Sequence, residues 1–161
     1  MKDHTDYFNA VTRCLISFQY IEEALKMVLV RLESLTYFRL REYTPYNLKP
    51  KLDSIQSAAM GRLIDMLTVY SDDHDLIAEL RKIKKKRNQV AHRGLLMTVE
   101  EMNDRKGIHL KASALEDMKN SSEAVLKRLL KKWVHLDSLL NKITAEQGGP
   151  PDRQKKAPAS R

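Results

Sequence analysis

Cysteine is nearly absent from this chain. Cys14 is the only one in 161 residues, which excludes an intrachain disulfide and any thiolate-rich metal site. Its neighbours on the same helical face are apolar, so a buried structural thiol is expected. Glycine and proline are scarce, five of each, and three of the prolines fall in the last twelve residues. A body so poor in turn residues favours helices over many short strands. Long apolar runs are missing as well. No window approaches the roughly 20 apolar residues of a membrane span, and Met1-Lys2-Asp3-His4 lacks the apolar run of a secretory signal. A cytoplasmic protein with no membrane partner is expected. Metal-ligand spacing is also lacking. His4, His74, His109 and His135 have no companion at suitable distance. The cluster Asp72-Asp73-His74-Asp75 stands at a helix start, where acids cap. No metal and no cofactor are expected.

What is present is a helical pattern. Hydrophobic residues make up 42% of the chain, enough for a core of one domain. Phe8, Val11, Leu15, Phe18, Leu25, Leu29 and Leu32 recur at helical intervals, with Cys14, Ile21 and Val28 widening the stripe. They predict a first helix over 6–35, ending within 36–41 before a segment with two prolines. Glu22 interrupts its apolar seam. A second helix is expected over 51–69, where Gly61 either costs about 1 kcal/mol or permits close packing. A third is expected over 73–93, with Gly94 as its C-terminal stop. The stretch 95–111 has no clean period and reads as a loop, with Ile108-His109-Leu110 as a candidate extended piece. Ser113 to Glu116 forms a capping-box pattern that opens a long last helix. Trp133 lies on the inner face of that helix and reads as core. Tyr37, Tyr43 and Tyr46 flank the proline-bearing loop and read as its packing. The expectation is an all-α chain, a four- to five-helix bundle with long first and last helices. It comprises one domain over 1–146 and a disordered basic tail over 147–161.

The charge is uneven. Lys+Arg number 29 against 21 Asp+Glu, a net charge of +8. Between 81 and 93 stand seven basic residues and no acid: Arg81, Lys82, Lys84, Lys85, Lys86, Arg87 and Arg93. So dense a run predicts either a solvated helix end or a surface for phosphates. At about 100° per residue, Lys82, Lys86 and Arg93 share one outer face, and Asn88 and His92 share another. Arg87 follows the inward line of Leu80, Ile83 and Val90. A charge there needs a partner, because burying it alone is costly. Glu22, the odd acid on the first helix's stripe, is the expected partner. Arg87 and His92 are about 140° apart on an ideal helix, so they meet on one ligand only if the last turn loosens or two subunits combine.

The segment Arg87-Asn88-Gln89-Val90-Ala91-His92 resembles the R-x4-6-H motif of the HEPN superfamily (higher eukaryotes and prokaryotes nucleotide-binding). The likeness is strongest over 83–94 and extends loosely, through helix order, over 5–145. It implies a metal-independent endoribonuclease, homodimeric, of the kind found in toxin–antitoxin and phage-defence systems. By this resemblance Arg87, Asn88 and His92 are the catalytic set, and Arg81, Lys82, Lys85, Lys86 and Arg93 hold RNA. Gly94 stands where one toxin subgroup has a tyrosine modified by its antitoxin, so an antitoxin acting by that modification is not implied. The chemistry suits RNA. Imidazole exchanges a proton near neutral pH, and a guanidinium holds non-bridging phosphate oxygens as charge grows. Attack by the 2′-hydroxyl would leave a 2′,3′-cyclic phosphate and a 5′-hydroxyl. The alternative is a non-catalytic HEPN-like module that binds RNA or a protein.

Overall fold

A computed structural model of the chain describes residues 2–41, 43, 50–94 and 96–146. The expected basic tail over 147–161 and most of the proline-bearing loop, Tyr46 included, lie outside the described residues. Among the described residues there are six helices and no strand: α1 (Lys2–Arg41), α2 (Leu52–Gln56), α3 (Met60–Tyr70), α4 (His74–Arg93), α5 (Val99–Asn103) and α6 (Arg105–Glu146). The protein is all-α. No helix is long and apolar enough to cross a membrane among those residues.

Helix α1 carries the centre of the core. Val11, Cys14, Phe18, Ile21, Leu25, Val28 and Leu29 are fully buried along one stripe. Each large apolar side chain withdrawn from water in this way contributes about 1.5–3 kcal/mol. The thiol of Cys14 sits inside this stripe. Burial above all, with the Glu116 carboxylate adding, pushes it up to about 11. It therefore stays protonated and unreactive. Leu63, Ile64 and Leu67 of α3, Leu76 and Leu80 of α4, and Ile108 and Leu129 of α6 close on the same core.

The two long helices run in the same direction. Arg13 pairs with Glu116 at 2.6 Å and Arg31 with Asp137 at 2.7 Å, so both chains advance together along the contact. A hollow at their far end, lined by Leu35 and Leu40 of α1 and Leu139 and Ile143 of α6, continues the same register. Helices α3 and α4 form a hairpin joined by Ser71-Asp72-Asp73. Helix α4 runs opposite to α6: Asp73, at its start, meets Arg128 and Lys132, and its last turn faces Ala114 and Met118. Glu33 of α1 fastens the α2–α3 segment at both ends. Its carboxylate accepts from the Lys51 backbone N–H at 3.1 Å and from the Tyr70 hydroxyl.

Several sequence expectations are corrected. The single helix over 51–69 is two, broken at Ser57-Ala58-Ala59. The Ser57 hydroxyl donates to the Asp53 carbonyl at 2.9 Å, and Ala59 turns extended. The break lets Ile55, Ala58, Met60 and Leu63 all reach the core. Packing there overrides the good helix propensity of two alanines. The expected loop over 95–111 is largely helical. Thr98 and Glu101 form a complete capping box at the start of α5. Asp104 then accepts from the Gly107 N–H at 3.0 Å, which starts α6 eight residues before Ser113. Ile108-His109-Leu110 is helix, with Ile108 buried against the core.

Candidate nucleic-acid interface on helix α4

Helix α4 is fixed at both ends. At its start the Asp73 carboxylate accepts from the Leu76 N–H at 3.1 Å. The same carboxylate lies 3.2 Å from Arg128 and 3.4 Å from Lys132, and Arg128 also reaches Glu79 at 2.5 Å. The Leu76 backbone donor first, and then the Lys132 and Arg128 cations, hold the Asp73 carboxyl below its ordinary value of 3.8. Leu76, Ile77, Leu80, Ile83 and Val90 bury the inner face.

At the other end the Gly94 N–H donates to the Val90 carbonyl at 2.7 Å, and the Tyr7 hydroxyl of α1 donates to the Gly94 carbonyl at 2.8 Å. Gly94 is right-handed, not left-handed. Its glycine answers to space: a Cβ would stand 2.5 Å from the Val90 carbonyl oxygen and 3.3 Å from Val11. Asp73→Ala should lower stability by about 1 kcal/mol through the lost cap, seen as a lower thermal midpoint at neutral pH. Because the folded-state pKa of Asp73 is depressed, its contribution is present above the unfolded value and fades as pH falls through the folded one. The difference between wild type and variant should therefore shrink below about pH 4.

Between these anchors the exposed side of α4 divides into stripes. Arg81, Lys85, Asn88 and His92 recur at intervals of four, three and four, and all are exposed. That spacing keeps them on one face of a regular helix. Arg81, Lys85 and Asn88 line a hollow of about 250 Å³ between α4 and α3, together with Lys84 and one acid, Asp65. Beside it, a Cβ at Gly61 would stand 2.7 Å from the Lys84 ammonium. The nearest atoms it would meet belong to the flexible end of the exposed Lys84 side chain, which can swing aside. His92 stands one turn further along the stripe.

The remaining site residues are not gathered there. Lys82 is exposed on another flank. Lys86 is half-buried, and its charge acts on Cys14 across the α1 contact. Arg93 opens onto a different cavity, on the side of α6. The Arg87 side chain, 43% exposed, has Nη2 3.8 Å from the Glu22 carboxylate and Nη1 3.5 Å from the Asn88 side-chain oxygen. Glu22 is shared with Lys26, also at 3.8 Å. At these separations the pair is loose, and so exposed an arginine gains at most about 1 kcal/mol from it. Helix α4 remains regular to Arg93. Arg87 and His92 of one chain therefore face different ways.

Sequence reasoning missed the cavity beside Arg93, which measures about 380 Å³. Its walls come from Tyr7 of α1, the last turn of α4 and the first turns of α6. Lys111 and Glu101 pair across its rim at 2.6 Å. That pairing, with the Thr98 backbone, draws the Glu101 carboxyl down and the Lys111 ammonium up. Thr98-x-x-Glu101 carries the sequence signal for the α5 part of its rim, a capping box one helix ahead of the pattern at Ser113.

No group of three or more His, Cys, Asp or Glu side chains is placed to hold a metal ion among the described residues. Comparison with family models, with curated proteins and with solved structures finds no match to this chain.

Proposed function

We propose that this protein is a metal-independent endoribonuclease of HEPN type, working as a homodimer. The observation that carries the reading is the stripe Arg81, Lys85, Asn88 and His92 on one exposed face of α4. It sets three hydrogen-bonding or cationic side chains and an imidazole along a line that an RNA backbone can follow. Arg81 and Lys85 hold phosphates beside the α3–α4 hollow. Asn88 orients the nucleotide, and His92 moves the proton of the attacking 2′-hydroxyl. Arg87 neutralises the phosphate as charge develops. Since Arg87 and His92 of one chain diverge, the two groups that meet on a scissile phosphate come from facing subunits. A toxin or phage-defence role, with a cognate antitoxin as protein partner, accords with an RNase of this kind.

Light scattering at micromolar concentration should give about twice the 18.7 kDa chain mass. The dimer should cut single-stranded RNA in EDTA, spare the matching DNA, and leave 2′,3′-cyclic phosphate ends. A monomer that stays monomeric with RNA present would remove the two-subunit site.

One observation favours a second reading. Arg87 already faces Glu22, and His92 has no hydrogen-bond or ion-pair partner among the described residues. In a non-catalytic HEPN-like module this arrangement is final, and α4 only holds RNA or a protein. Tight RNA binding with intact substrate would select that reading.

A further inference from the structure

We infer that the cavity between Tyr7, the last turn of α4 and the first turns of α6 is a nucleotide-binding pocket that takes an unpaired base with its phosphate. The inference rests on the RNA reading given above and adds a second contact point to it. About 380 Å³ falls within the range of small-molecule sites. The lining has the two parts that a nucleotide needs. Leu96, which is exposed, and Met118 supply apolar wall, and buried Tyr7, Val90 and Leu115 form its floor, with the Tyr7 hydroxyl spent on the Gly94 carbonyl. Aromatic and apolar walls take any base by its face. Gln89 and Arg93 supply the polar part. Neither has a hydrogen-bond or ion-pair partner among the described residues. The Gln89 amide offers a donor and an acceptor side by side, the pattern that matches the edge of adenine. Arg93 offers a forked cation to a phosphate. Lys111 is already paired with Glu101, so Arg93 is the free cation of the pocket among the described residues.

Position adds to the case. Gln89 and Arg93 lie on the flank of α4 away from Asn88 and His92, about 100° around the helix. A strand that crosses the end of α4 would meet the stripe on one side and drop a base into the cavity on the other.

The test compares a ten-nucleotide oligoadenylate with an abasic ribose-phosphate strand of equal length, by fluorescence anisotropy at fixed salt. Wild type should bind the base-bearing strand about tenfold more tightly. Ala114→Trp, which fills the cavity from α6, should erase that margin and leave affinity for the abasic strand unchanged. Gln89→Ala, on an exposed position, should narrow it and serves if the tryptophan variant fails to fold by circular dichroism. Arg81→Ala with Lys85→Ala should weaken both strands equally.

A wild type that binds both strands alike, with salt-sensitive affinity, overturns the pocket and leaves the RNA reading standing. If neither strand binds, the RNA reading fails, and titration with adenosine 5′-monophosphate followed by amide chemical shifts decides the pocket. Shifts at Gln89 and Arg93 that vanish in Ala114→Trp assign the cavity to a free nucleotide, and no shifts overturn it.

Discussion

Replacing His92 with alanine is expected to lower RNA cleavage by about 100- to 10,000-fold, the usual worth of a positioned acid or base. His92 is the imidazole on the α4 stripe, and it is exposed, so its removal leaves no cavity. Helical signal and RNA affinity should stay close to wild type. Arg87→Ala should also lose cleavage, by a different route, and its effect needs a control because Glu22 stands beside it. Glu22→Gln removes that neighbour's charge and keeps Arg87. If Glu22→Gln cleaves normally while Arg87→Ala does not, the arginine acts on the phosphate. Equal cleavage by wild type and His92→Ala would assign the activity to a contaminant and end the proposal.

Affinity for single-stranded RNA should fall about a hundredfold when salt rises from roughly 50 to 200 mM. Arg81, Lys82, Lys85, Lys86 and Arg93 are the residues proposed to meet the strand, and five phosphate contacts would give a loss of about that size. The sites are not equivalent. Arg81 and Lys85 line one hollow, Arg93 lines another, and Lys86 is half-buried. Arg81→Ala and Lys85→Ala should each reduce the salt slope, and Lys86→Ala should reduce it least. An affinity indifferent to salt would rule out a phosphate-binding face.

How far the chain could be read in advance depended on whether a segment announced itself locally. The stripe from Val11 to Leu29 is periodic and uninterrupted except at Glu22, and it forms the core as its spacing requires. The end of the third expected helix was legible too, because Gly94 cannot be missed after so regular a run. Its reason was not legible: Gly94 is right-handed, and a Cβ there would stand 2.5 Å from the Val90 carbonyl oxygen, with Val11 of α1 close behind at 3.3 Å. The break at Ser57 to Ala59 and the helicity of 99–111 were hidden for a related reason. In the first case, tertiary packing overrode propensity. In the second, a short capped helix and an aspartate cap had too few apolar positions to show a period. The basic run and its histidine were visible at once. What no linear pattern could give is the division of α4 into two flanks with a hollow on each, since those hollows are completed by Gly61 and Asp65 of α3 and by Tyr7 of α1.

The shared direction of α1 and α6 bears on how the chain reaches its native state. Partners such as Arg13 and Glu116, or Arg31 and Asp137, are more than a hundred residues apart. At an ordinary synthesis rate, roughly 5 to 20 s separate the emergence of one helix from that of the other. During that interval the apolar stripe of α1 can be covered only by α2, α3 and α4, which follow it from the ribosome. Sequence separations this long also slow the search for the native arrangement, compared with bundles whose neighbours are adjacent in the chain. The nascent protein thus passes through a state with one side of the α1 apolar stripe uncovered, which is the kind of surface that holding chaperones recognise.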